Sequence, residues 1–187
     1  MKIKREDIFI VAAKMFRTQG FNAVSMRDLA EALGIKAASL YSHISSKQEI
    51  LSSIIIDLAE HFTDGMQLVI NTTKDPLTKL ENVIALHVSI SLDFADAIGC
   101  LNSEWMNLKE PHLSALIKMR ADYEKNVLDI IKEGIKKQVF VDKNEKVILH
   151  STLSTLRSLY QWKENIKLER EELIDELQMT LLKGITK

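Results

Sequence analysis

One cysteine, Cys100, is all the thiol chemistry in 187 residues. That excludes an intramolecular disulfide or a thiol-based zinc finger within one chain, and it fits a reducing compartment. There are two prolines, Pro76 and Pro111, and both read as helix openers. No apolar run reaches the roughly 18 residues a bilayer span needs, and no N-terminal stretch combines basic residues, an apolar core and a cleavage site. A cytoplasmic protein with no membrane partner is expected. Strand alternation, internal repeats and low-complexity linkers are all missing, so the fold class is all α. Also missing are a Ser-His-Asp spacing, a Gly-rich phosphate loop and paired acids. The five histidines (43, 61, 87, 112 and 150) lie apart, and none has Glu three residues before it. No catalytic residue, metal site or cofactor is therefore expected, and the chain does not read as an enzyme.

What is present is a 46% hydrophobic chain, enough for a real core. Its net charge of -1 hides a division. Residues 1–47 carry eight Lys/Arg (Lys2, Lys4, Arg5, Lys14, Arg17, Arg27, Lys36, Lys47) against four acids (Glu6, Asp7, Asp28, Glu31), or +4. The remainder carries 17 basic and 22 acidic residues, or -5. A basic head on an acidic body suits a polyanion-binding module attached to something else.

The most informative stretch is SMRDLAEALGIKAASLYSHISSK, Ser25 to Lys47. Ser25 and Asp28 form a capping box that opens a helix with Leu29, Ala30 and Leu33 on its inner face. Gly34 ends it, because glycine tolerates a left-handed backbone. Ile35 and Leu40 anchor a second short helix, Lys36 to Ser42. A small residue at Ala30 and Gly at the turn make a helix-turn-helix. Before it, Lys4 to Gln19 forms a helix with Ile8, Val11, Ala12, Met15 and Phe16 on one face, closed by Gly20. Phe21 and Val24 in the connecting turn help close the core.

After it, Ser46 to Glu49 is another capping box, opening a long helix through Leu51, Ile54, Ile55, Leu58 and Phe62 to about Thr72. Asp75-Pro76 starts a helix with Leu77, Leu80, Val83, Ile84, Val88 and Phe94, ending near Asp96. Gly99 is expected to interrupt, followed by a short helix from Asn102 to Leu108. Pro111 opens the next helix, to about Gln138, and Val139 to Val141 turns the chain. Two amphipathic helices finish it, about Lys143 to Asn165 and Glu169 to Lys183. The division expected is a three-helix helix-turn-helix head, 1–46, and an antiparallel helical body for ligand binding and dimerisation, 47–187.

Five blocks in order resemble the DNA-binding domain of the TetR family of transcriptional repressors. They are Ala12 to Phe21, Ser25 to Ala30, Gly34-Ile35, Leu40 to Ile44, and Ser46 to Leu51. Ile44 stands where the family usually has Phe, and Ala38-Ser39 where it often has Gly-Thr, so operator sequence does not carry over. The resemblance implies that Lys36, Ala37, Ala38 and Ser39 face the major groove, and that Ser25, Met26, Arg27, Tyr41, His43 and Lys47 contact the phosphate backbone. With small side chains at 37 to 39, Arg27 and Lys36 carry much of the hydrogen-bonding readout.

A single head touches too few base pairs to select a site, so a homodimer on a palindromic double-stranded operator is expected. In the family the last two helices form a four-helix bundle across the dimer axis. Leu153, Leu156, Tyr160, Leu173, Leu177 and Leu181 are the interface candidates, with ordinary internal core as the competing reading. Candidates for lining an effector pocket are Phe62, His87, Trp105, Met106, Arg120, Tyr123 and Trp162. A more degenerate pattern is similar to the acyl-CoA-responsive branch of the family: Glu104-Trp105, Arg120 with Tyr123-Glu124, Glu133-Gly134 before Phe140, then Trp162. It implies a repressor released by a hydrophobic effector of the acyl-CoA or fatty-acid class, with an unrelated hydrophobic drug-like or signalling molecule as the alternative. Two rival readings stay open: an all-α lipid carrier or enzyme, and a DNA-binding adaptor without an inducer.

Overall fold

The computed structural model describes residues 3–162 and 165–186. Among them are nine α-helices, one 3-10 turn and no strand beyond an isolated antiparallel bridge between Phe140 and Thr186. The helices are α1 (Arg5–Gln19), α2 (Met26–Ala32), α3 (Ala37–Tyr41), α4 (Lys47–Thr72), α5 (Pro76–Asp93), α6 (Ala95–Glu104), α7 (His112–Lys136), α8 (Glu145–Trp162) and α9 (Arg170–Leu182). The 3-10 turn, Trp105–Asn107, follows α6 directly. The expected end of α8 at Asn165 runs into residues 163 and 164, which lie outside the described residues.

Contacts divide the chain into two compact units. The first takes residues up to 59 together with 94–117, and so extends beyond residue 46 to include α6. Ile8, Ala12, Phe16, Phe21, Val24, Leu29, Leu40 and Ile44 are buried in it, as the helical spacing of the first three helices requires. Here α1 packs on α2 and on α6. The Arg17 guanidinium meets Asp96 at 2.8 Å, and the Arg17 stem lies where a side chain on Gly99 would stand.

That contact corrects the expected interruption at Gly99. The glycine sits inside α6 with the Arg17 side chain packed against it, and the break between α5 and α6 falls instead at Phe94 (φ -129°, ψ 38°). A glycine at a close approach and a glycine at a helix end look alike in sequence.

The second unit comprises 60–93 and residues from 118 onward. Its α5 packs on α8 and α9. Asp75 caps α5 as expected: its carboxylate accepts the Thr78 N–H at 2.8 Å, which holds the carboxyl below its usual range. The core gathers Leu80, Val83, Ile84, Val127, Ile131, Phe140, Leu149, Leu153, Leu156 and Leu173. Gly134 passes beneath the Phe140 ring with no space for a Cβ, while Glu133 bridges Lys79 (3.0 Å) and Lys137 (2.7 Å). The Glu133-Gly134 and Phe140 pattern thus has a packing role in this unit. Leu153, Leu156, Leu173 and Leu177 are 1%, 1%, 4% and 7% exposed. The chain's own helices cover these four, which is the internal-core alternative to the interface reading.

Candidate nucleic-acid interface and effector site

The helix-turn-helix is built from three local devices. Ser25 sits in extended backbone, its Oγ accepting the Asp28 N–H at 3.2 Å while the Asp28 carboxylate accepts the Ser25 N–H at 2.8 Å. That bond to the Ser25 backbone, with the Ser25 hydroxyl, holds the Asp28 carboxyl below its usual range. At the other end of α2, Gly34 adopts φ 67°; its N–H donates to Glu31 O and the Ile35 N–H donates to Ala30 O, both at 2.9 Å. This is a Schellman closure, and only glycine adopts its left-handed residue without strain. Leu40 and Ile44 are buried, so α3 is fixed by one side.

The opposite side stands in water. Lys36, Ala38, Ser39, Tyr41 and His43 are exposed, as are Ser25 and Arg27, whereas Met26 and Ala37 are half-buried. Tyr41 is 53% exposed, a poor position for a core aromatic. Lys47 differs: it is half-buried, and its Nζ donates to the carbonyls of Phe21 and Val24, each at 2.6 Å. The box at Ser46 is also altered. Ser46 Oγ accepts the Glu49 N–H, but the Glu49 carboxylate takes the N–H and hydroxyl of Ser45, and Arg5 at 2.6 Å.

Of the effector candidates, Phe62, His87 and Tyr123 come together in the second unit. Their ring centroids lie 4.8 Å (Phe62 to His87), 5.9 Å (Phe62 to Tyr123) and 5.7 Å (His87 to Tyr123) apart. Tyr123 Oη and His87 Nε2, 3.0 Å apart and buried, share a hydrogen bond whose direction the His87 tautomer sets. Burial first, then the Arg157 charge, pulls His87 down to about 3, so it is neutral. Burial pushes the Tyr123 phenol up, and the pair is uncharged at neutral pH.

Trp162 packs on the same core with its Nε1–H donating to Ser158 Oγ at 3.2 Å. Arg120, half-buried, is held below its usual range by burial and then by Arg157, with Glu124 opposing. Trp105 and Met106 belong to the first unit, and Met106 is 72% exposed. Arg157, paired with Glu124 at 2.6 Å, is the residue that sequence reasoning missed. The signal available was one arginine in the otherwise uncharged stretch LHSTLSTLRSLY.

Among the described residues, no three His, Cys, Asp or Glu gather as metal ligands, and no single helix is long and apolar enough to cross a membrane. Cys100 is buried, and burial followed by Glu104 pushes its thiol up to about 12, which leaves it protonated and unreactive.

Residues 73–185 match the family model described as tetracyclin repressor-like, C-terminal domain, and residues 8–54 match that of the bacterial regulatory proteins of the tetR family. The chain belongs to the TetR family. Members of the TetR family are transcriptional regulators, not enzymes, and they act as DNA-binding dimers that answer to small molecules. A similar relative is the HTH-type transcriptional repressor KstR2 of Mycolicibacterium smegmatis, 27% identical over 134 residues. The match covers 71% of this chain but only 65% of that protein, just under two thirds of its length. In fold, the ketosteroid transcriptional regulator KstR2 of Mycobacterium tuberculosis superposes with a TM-score of 0.92 at 22% identity, over 100% of this chain and 97% of the other. AibR, solved with isovaleryl coenzyme A and operator DNA, superposes at 0.79 with 18% identity, over 94% and 96%. At those identities the likeness is one of fold.

Proposed function

We propose that this TetR-family chain is a cytoplasmic, ligand-responsive repressor that binds a palindromic operator as a homodimer and is released by a hydrophobic effector of the acyl-CoA or fatty-acid class. The observation that carries the DNA reading is the exposed N-terminal side of α3, with Lys36, Ala38 and Ser39 in solvent directly after the Gly34 turn. A recognition helix presents that end to base edges in the major groove. Arg27 and Lys36 supply the long hydrogen-bonding side chains, and Ser25, Met26, Tyr41 and His43 hold the phosphates. The second protomer docks on the outward side of α8, where Val147, Ser151 and Ser154 are exposed at helical spacing, joined by Tyr160, Leu181 and Met179.

Two features favour the effector class. AibR carries an acyl-CoA on the same fold. Within the second unit, the uncharged His87–Tyr123 pair offers a hydrogen bond to a thioester or carboxyl oxygen, with Phe62 and Trp162 as apolar neighbours. Arg120 and Arg157, near each other beside Glu124, suit the anionic part of such a ligand. Effector binding favours a state in which α4, one unbroken helix from Lys47 to Thr72, has pivoted and the two heads no longer match successive major grooves. The shift equals the difference in effector affinity between the two states.

The test is a fluorescence-anisotropy titration of a bound operator duplex with a long-chain acyl-CoA, the corresponding free fatty acid, and coenzyme A alone. Release by the thioester or the fatty acid but not by coenzyme A supports the reading. Release by none of them discards the effector class and leaves the DNA reading intact.

A further inference from the structure

We infer that Lys47 is a positioning residue for the reading head and not one of its phosphate contacts. Its ammonium lies 2.6 Å from Phe21 O, 2.6 Å from Val24 O and 4.4 Å from the centre of the Phe21 ring. A lysine ammonium has three N–H donors. Two of them converge here on main-chain carbonyls of the turn between α1 and α2. Lys47 is also the first residue of α4, where a cation opposes the helix macrodipole. Helix stability therefore does not account for a lysine at this position, and the two carbonyls do.

The consequence follows the chain outward. Phe21 packs edge-on against Phe16 near the end of α1, with ring centres 5.2 Å apart. Val24 precedes Ser25, whose hydroxyl and main chain close the box with Asp28 at the start of α2, and the Lys47 charge also acts on that Asp28 carboxylate. A single ammonium thus joins the first turn of α4 to the end of α1 and the cap of α2. Glu49, two residues on, ties α4 to Arg5 and Ser45. Any displacement of the start of α4 is passed to Ser25 and α2, and through the Gly34 turn to α3. With two of its three N–H groups on those carbonyls, the Lys47 ammonium directs most of its hydrogen bonding at the main chain that fixes the reading surface.

The effect on DNA rests on the function proposed above; the effect on the cap does not. The experiment compares Lys47→Met, Lys47→Arg and, as an exposed-charge control, Lys36→Met in the full chain. Amide hydrogen exchange is followed at Asp28 and Leu29, and binding to a duplex selected by the wild-type protein from a randomised library is measured across a salt series. Lys47→Met is expected to speed exchange at Asp28 and Leu29 about tenfold or more, with no change in Lys36→Met. It also weakens binding about tenfold, with the slope of log affinity against log salt unchanged. Lys47→Arg keeps the charge, but a planar fork replaces the ammonium, so it behaves like Lys47→Met.

A slope shallower by about one in Lys47→Met, with exchange unchanged and binding restored by Lys47→Arg, overturns the inference in favour of a phosphate contact. Wild-type exchange and binding in Lys47→Met also overturn it. If the wild-type protein selects no duplex, the DNA reading fails while the exchange rates still decide the role of Lys47.

Discussion

Around α3, Arg27, Lys36, Ser39 and Tyr41 stand in solvent, whereas in the second unit His87 and Tyr123 are withdrawn from water and bonded to each other. The first arrangement suits a partner that is large, charged and wet, because exposed side chains meet phosphates and base edges without first being desolvated. The second suits a partner small enough to be enclosed, because a buried uncharged pair discriminates by hydrogen bonding in a low dielectric. The two units thus differ less in residue type than in where their polar atoms are placed. Each half of that contrast is open to direct attack.

The largest effect is expected at the wet surface. Replacing Arg27 and Lys36 together by Ala should weaken operator binding on the order of a hundredfold and make the salt slope shallower by up to about two, leaving the fold intact. Binding within twofold of wild type would remove these residues from the interface. In the second unit, Leu153→Ala tests whether that face is core. It should cost about 2–5 kcal/mol, with a loss of Tm independent of protein concentration, because Leu153 is 1% exposed. Val147→Asp, by contrast, should shift the dimer equilibrium toward monomer in sedimentation while changing monomer stability by less than about 0.5 kcal/mol. A concentration-dependent loss in Leu153→Ala would return that leucine to the interface.

The buried pair makes a prediction in pH. His87 lies at about 3 in the fold against an ordinary 6.5, so between those values the unfolded chain binds a proton that the folded chain refuses. Its contribution is complete above about 6.5, and the folding constant then falls by up to about tenfold per pH unit on acidification toward 3. In His87→Phe that part of the acid loss should vanish from urea titrations at pH 7, 6 and 5; an unchanged difference between pH 7 and 5 would mean His87 is protonated in the fold. The smallest effect belongs to the Arg5–Glu49 pair. Arg5→Met should cost less than about 1 kcal/mol, measured by thermal denaturation, since surface ion pairs contribute little.

The same contrast governs what can be read from the chain itself. The head is legible because its devices are local: Ser25 and Asp28 are three residues apart, the Gly34 closure spans six residues, and the apolar spacing of α1 fixes its buried face. The body is legible as helices but not as a site. His87 and Tyr123 are 36 residues apart, and nothing in their neighbourhoods says that their polar atoms meet. Trp105 and Met106 are pocket candidates by residue type alone, and the sequence does not show that they belong to the first unit. Leu153 and Leu177 illustrate a further limit, since an amphipathic stripe has the same spacing whether it faces its own core or a partner. Lys47 was legible as a basic residue near the reading helix, but the direction of the Phe21 and Val24 carbonyls, which gives it another role, is not written in side-chain identity.

The most direct test of the account is selection of the 187-residue chain against a randomised duplex library, followed by anisotropy on the enriched sequence. The account predicts a two-fold symmetric site whose half-site centres are separated by about one helical turn of DNA or a multiple of it, and whose binding weakens with salt. Recovery of no enriched sequence, or of one without two-fold symmetry, would contradict it.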